Sequence, residues 1–239
     1  MAAPLTPAER AQRLRLDQRL LAALDAADCP LHVSGHRSAE DVRAARDPVP
    51  PGDPSPPSHY RVVYDFDTLR GPGERHRPTV VHVAPLASGG YPVTPPSAWV
   101  VSDVIPWTPH FAANVPICHG GHMWIANRTQ LVDYVIHIGK LLNFDEPPPT
   151  PGYHGYNGAA VAYWRDRMEL QPLDPGLRFP TIRPEDVMRV GAFRRAADAA
   201  PAAGRFRRAQ EPPQLAAGAR FRRVEEGPPR RFAPAGGRS

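Results

Sequence analysis

The chain has 239 residues, 32 of them Pro and 19 Gly, so about a fifth of it resists regular structure, and the rest is room for one ordinary domain with extensions or two small ones. Its two cysteines, Cys29 and Cys118, exclude a disulfide framework, no apolar run approaches the ~20 residues of a membrane span, and Met1-Ala-Ala-Pro-Leu lacks the order of a secretory signal, so a cytoplasmic protein with reduced thiols is expected. The net charge of +5 is uneven: nine Arg and three Glu from Pro201 to Ser239 contribute +6 and leave residues 1–200 at −1. Nearly every basic side chain is Arg, and Lys140 is the only lysine.

Thr6-Pro-Ala-Glu9 is a capping box with proline at the first helical position. It predicts a helix to about Ala27, with Leu14, Leu20, Leu21 and Leu24 on its apolar face. Cys29 follows as an idle thiol, Leu31-His-Val is a candidate short strand, and Ser38 to Arg46 allows one or two helical turns. Asp47 to Ser58 is proline-rich and reads as a linker or exposed loop.

His59 to Phe66 alternates Tyr60, Val62, Tyr64 and Phe66, the signature of a half-buried strand. Gly71-Pro-Gly73 turns the chain, Thr79–Val83 is a second strand and Ala98–Val101 a third. Three such strands make an antiparallel meander that needs a helix over one face. The run from Leu131 to Leu142 can supply it, with Leu131, Val135, Ile138 and Leu142 in one stripe. A further helix is expected over Ala159–Asp166, and another from Arg183 to about Ala197. Trp99, Trp107 and Trp124 are expected in the core. Beyond Pro201, Arg205-Phe-Arg-Arg208 recurs as Arg220-Phe-Arg-Arg223 and reversed as Arg230-Arg-Phe232. That tail has too little apolar content to fold alone; it could dock on an acidic partner, nucleic acid or an anionic surface, and a solvated tail of GC-biased composition is an equal reading.

The centre of the chain lies between Tyr91 and Glu146. Tyr91-Pro-x-x-Pro-Pro96 is a rigid turn, and Thr108-Pro-His110 stands eight residues before Cys118. Trp124, the Leu131–Leu142 helix and the acidic, proline-bearing Asp145-Glu-Pro147 follow. This order and spacing resembles the ubiquitin-conjugating enzyme (UBC-like) superfamily, in its bacterial branch. The family carries YPxxPP, then His-Pro-Asn, then an acceptor cysteine eight residues after the Asn. The resemblance implies an α+β, UBC-like fold, with an antiparallel β-meander packed against helices and a disordered Arg/Pro-rich C-terminal tail. The parts are then an N-terminal helix and linker (1–58), a UBC-like core (59–170), a helical extension (171–200) and the basic tail (201–239).

The implied chemistry is a thioester on Cys118. A ubiquitin-like protein would arrive from an adenylating activating enzyme and pass to an amine, with no cofactor in this chain because the activating partner consumes the ATP. A thiolate nucleophile and a donor to the transfer oxyanion are required. His110 takes the place of the family's Asn, and its ring N–H is a candidate donor. Asn114 is a second candidate, and His119 could favour or relay protons at the thiol. His122, Asp145, Glu146, Tyr153, His154 and Asn157 are candidates for the mouth of the site. Three rivals remain: a Cys/His metal protein built on Cys118, His119 and His122, a Cys/His hydrolase, and a non-catalytic UBC-like binding module.

Overall fold

The N-terminal helix begins where its capping box places it. The computed structural model describes residues 5–50, 53–86, 90–120, 123–146 and 155–187. Helix α1 spans Pro7–Asp25, with the Thr6 hydroxyl accepting from the Glu9 N–H at 3.3 Å and Glu9 Oε2 accepting from the Thr6 N–H at 2.8 Å. Leu14, Leu20, Leu21 and Leu24 are all buried, as the spacing predicts. Asp17 shares their face, which the apolar pattern does not reveal.

The sheet has four antiparallel strands where the alternation alone predicts three. β1 is Leu31–His36 and β2 is His59–Tyr64; Thr68–Gly71 (β3) and Glu74–His76 (β4) form a separate hairpin; β5 is Thr79–Ala84 and β6 is Ser97–Val100. The order is β1-β2-β5-β6, a meander in which Leu31 faces Tyr64, Tyr60 faces Val83 and Val81 faces Val100. The extra strand is Leu31-His-Val extended to His36. Its pairing with β2 crosses a proline-rich connection that carries the short helix α2 (Ala39–Arg43). Hence α1 and β1 share one core with the strands that follow residue 58.

Helix α3 (Leu131–Asn143) covers the inner face of the sheet. Its predicted stripe, Leu131, Val135, Ile138 and Leu142, is completely buried, and the Tyr64 hydroxyl donates to the Val135 carbonyl at 2.8 Å. Gly139 lets the helix pack closely, since a Cβ there would lie 2.8 Å from Phe179 and 3.2 Å from Tyr64. Phe144 ends α3 in the left-handed region (φ 55°), which puts its ring edge-on to Trp164 of α4 (Gly158–Asp166) at 5.3 Å. The backbone is helical again over 184–187. The remainder of the helix expected to Ala197, and the basic tail, lie outside the described residues.

Of the tryptophans expected in the core, Trp124 belongs to it, whereas Trp99 and Trp107 are half-buried at its margin. Trp99 points to the outer face of the sheet and stacks on His82, and Trp107 packs on Tyr163. The period-2 alternation of β6 gives Ala98 the inner face, so its neighbour Trp99 must take the outer one.

Asp17 ties three parts of the chain together. Fully buried, it accepts from the Tyr91 hydroxyl at 2.5 Å, from Arg13 Nε at 3.1 Å and from the Leu131 N–H at 3.4 Å. Arg13 also donates to the Thr129 carbonyl at 2.7 Å. Burial pushes the Asp17 carboxyl up, and Arg13 and Tyr91 oppose it. Asp17→Ala leaves a nearly buried guanidinium and a buried phenol without their acceptor, so a loss of about 3–5 kcal/mol is expected, read as a lower urea midpoint.

Candidate active site

Cys118 lies in the long connection from β6 to α3, a segment without regular structure whose backbone is anchored at intervals. The Trp107 N–H donates to the Leu69 carbonyl at 2.6 Å, and the Ile117 N–H to the Ala98 carbonyl of β6 at 2.7 Å. Between these anchors His110 and Cys118 face each other. The Cys118 N–H donates to the His110 carbonyl at 3.1 Å, and His110 Nδ1 meets the Cys118 carbonyl at 2.9 Å. The eight-residue spacing is thus the length of a closed loop, with Phe111 and Ile117 buried near its two ends. Asn114, at φ 59°, is exposed on that loop, so its side chain is in solvent.

This geometry fixes the His110 tautomer. A carbonyl only accepts, so Nδ1 carries the hydrogen. Burial pushes His110 down to about 4, with the His137 charge adding to the effect and the bond to the Cys118 backbone opposing it. The ring is therefore neutral near pH 7, and its single N–H is committed to the Cys118 carbonyl. The donor expected from His110 is spent on holding the loop. Trp164 backs the ring, with centroids 5.9 Å apart and planes at 68°. The Tyr156 N–H donates to the Pro109 carbonyl at 2.8 Å and joins the approach to α4 to the same loop.

The next residue repeats the device from another element. His137 of α3 donates through Nε2 to the His119 carbonyl at 2.8 Å, and its Nδ1 stands 3.1 Å from Glu146 Oε1. Both of its ring nitrogens thus face oxygens of other residues. His119 itself has Nδ1 3.0 Å from the Gly120 carbonyl and its ring edge-on to Tyr134 at 5.3 Å. Cys118 is half-buried.

The structure therefore brings together Cys118, His110, His119 and, through His137, Glu146. It does not bring Asp145 to them: Asp145 is exposed and lines a separate groove with Lys140, Arg178 and Phe179. Asn157 caps α4, its Oδ1 accepting from the Ala160 N–H at 3.0 Å. His122, Tyr153 and His154 lie outside the described residues. Sequence reasoning missed His137 and Tyr134, because both sit inside an apolar helical run and read as core. Their separation of three residues places them on one helical face, which is the signal that could have found them. Among the described residues no group of three His, Cys, Asp or Glu could hold a metal ion, and no helix is long and apolar enough to cross a membrane.

No known family model matches the chain, and no curated protein matches it. The architecture itself is α+β, an antiparallel sheet with helices packed on it.

The depressed value of His110 has a stability consequence. An unfolded histidine takes up its proton near 6.5, whereas the folded ring resists protonation until about 4. In that window the unfolded chain binds more protons, so stability falls as pH drops, by up to about 1.4 kcal/mol per pH unit from this group. His110→Gln retains a donor for the Cys118 carbonyl but does not titrate. Its urea midpoint is expected to fall less between pH 7 and pH 4.5 than that of the native chain.

Proposed function

We propose that this protein is a ubiquitin-conjugating-enzyme-like thioester carrier with a UBC-like fold. The observation that carries the reading is the position of Cys118. A half-buried thiol sits on a loop closed by its pairing with His110, after the last strand of a four-stranded meander and before the helix that covers it. That order, with α1 before the sheet and α4 after α3, agrees with what the resemblance implies and supports reading Cys118 as the acceptor.

The partners are a ubiquitin-like protein and an adenylating activating enzyme. The Cys118 thiolate attacks the carbonyl at the modifier's C-terminus and displaces the activating enzyme's thiolate. An amine then attacks the new thioester. The C–N bond forms, the C–S bond breaks, Cys118 leaves as thiolate and the ammonium proton passes to a base. His110 and His137 hold the carbonyls of Cys118 and His119, which fixes the loop through both steps. His110 takes the position of the family's Asn in the role of loop clamp. The Arg/Phe tail from Pro201 is suited to an acidic partner.

The test mixes the protein with ATP, an adenylating activating enzyme and the ubiquitin-like protein which that enzyme charges, followed on a non-reducing gel. A band shifted by the modifier's mass is expected, reversed by thiol and absent in Cys118→Ala. Cys118→Ser should give an ester that resists thiol. If a demonstrably charged activating enzyme leaves no adduct on the native chain, the carrier reading is wrong and a non-catalytic binding module takes its place.

A further inference from the structure

We propose that the outer face of the sheet carries a proton-operated latch: the row His36, His59 and His82 holds α2 and its connection on the strands while the rings are neutral and releases them when the rings take up protons. β1 ends at His36 and β2 begins at His59, so these residues are the two ends of the connection from Arg37 to Ser58 that carries α2. They face each other in the ladder, and the Ser58 N–H closes the base of the connection by donating to the His36 carbonyl at 3.3 Å. The row continues across the sheet. His59 Nδ1 lies 2.9 Å from His82 Nε2 of β5, and the His82 ring stacks on Trp99 of β6 with centroids 5.5 Å apart. Four rings, one from each strand, thus cross the outer face. Helix α2 packs on β1, β2 and β5, with Val42 completely buried.

The row works only with its rings largely neutral. A hydrogen bond between two imidazole nitrogens needs one donor and one acceptor, so the His59–His82 contact survives one added proton and not two. His36 and His82 are almost completely buried, at 2% and 4% exposure. His36 Nε2 is held by Ser34 Oγ at 2.9 Å, and its Nδ1 has no partner among the described residues. A proton on Nδ1 would place a charge in the interior with nothing to accept its hydrogen.

The charged groups around the row do not offset this cost. Arg61 of β2 stands opposite both Ser34 and His82, and Arg43 of α2 lines one groove with Arg61, His76 and Asp103. Asp41 of α2 favours the charged form of His36 and His59, but it is already bonded to Ser38 and Arg46. Glu40 pairs with Arg46, Asp53 with Arg37, and the exposed His32 of β1 lies beside Asp25. Burial is the largest effect and pushes all three histidines down, His82 to about 4. Once exposed, the rings return to about 6.5, so the released form binds more protons and gains as pH falls below that value.

The test follows hydrogen–deuterium exchange of the full chain between pH 7.5 and pH 5.0, with rates corrected for the intrinsic effect of pH. A ring that titrates near 4 in place and near 6.5 when exposed shifts the opening equilibrium about thirtyfold at pH 5. The amides of Val42, Ala44 and Arg46, which donate to carbonyls of the α2 segment, report the latch. Those of α3 report the loss that His110 brings to the whole fold. The α2 amides are expected to lose at least about tenfold more protection than the α3 amides. In a chain carrying His59→Gln and His82→Gln, whose amides hydrogen-bond but do not titrate, that excess should shrink by about tenfold or more. Trp99 gives a second readout that needs no histidine substitution. An imidazolium stacked on an indole quenches its fluorescence, so the emission that the native chain has over Trp99→Phe should fall as His82 takes up its proton. Equal loss of protection at α2 and α3, or equal excess loss in the native and doubly substituted chains, would overturn the latch. Should the doubly substituted chain not fold, the native chain decides: coincident midpoints of Trp99 quenching and α2 exposure support the latch, and midpoints more than about one pH unit apart overturn it.

Discussion

The buried carboxylate of Asp17 is the constraint on which the arrangement depends. An ionised group removed from water is costly unless its partners are well placed, and Asp17 draws those partners from three distant parts of the chain: Arg13 of α1, the Tyr91 hydroxyl of the proline turn and the Leu131 N–H at the start of α3. Each contact sets a boundary. The turn must bring Tyr91 to α1, and α3 must begin where its first N–H reaches the same oxygens. From Tyr91 the contacts continue outward through Trp124 at 5.7 Å and Tyr134 to His119, next to Cys118. Trp124 further fastens the turn by donating to the Pro92 carbonyl at 3.1 Å. The loop that carries the thiol is therefore positioned by aromatic packing rooted in one carboxylate, although it has no secondary structure of its own.

A buried irregular segment must still satisfy its backbone. Here two imidazoles do so. His110, from the same loop, donates to the carbonyl of Cys118, and His137, from α3, donates to that of His119. Their surroundings differ. His110 has Trp164 at its back and is held neutral by burial, whereas His137 faces Glu146. Both act on the main chain, which makes them indifferent to what the sulfur is bonded to.

Much of this was legible in the sequence. The capping box at Thr6 fixed the start of α1, the alternation from Tyr60 to Tyr64 marked a strand half inside, and the stripe from Leu131 to Leu142 marked the helix over it. These are local signals, each carried by a few neighbouring residues. What escaped was non-local. Of β1 only Leu31-His-Val was legible as a candidate strand; its extension to His36 depends on pairing with β2 across the α2 connection. Asp17 breaks an apolar face that is otherwise regular, and only the arrival of Tyr91 and Leu131 explains it. Trp99 looked like core because tryptophan usually is, yet register sends it to the outer face beside His82. At the site, spacing brought out Cys118 and His110, while His137 and Tyr134 were hidden by their apolar neighbours in α3.

A histidine at position 110 limits what that side chain can donate. An asparagine amide has two N–H bonds and a carbonyl, so one side chain can hold the loop and still offer a donor to developing charge. A neutral imidazole has one N–H. Once His110 commits it to the Cys118 carbonyl, it has no second hydrogen to give. The residue eight positions before the cysteine thus spends the one hydrogen it has to donate on the main chain of the loop, and so joins the two ends of that loop.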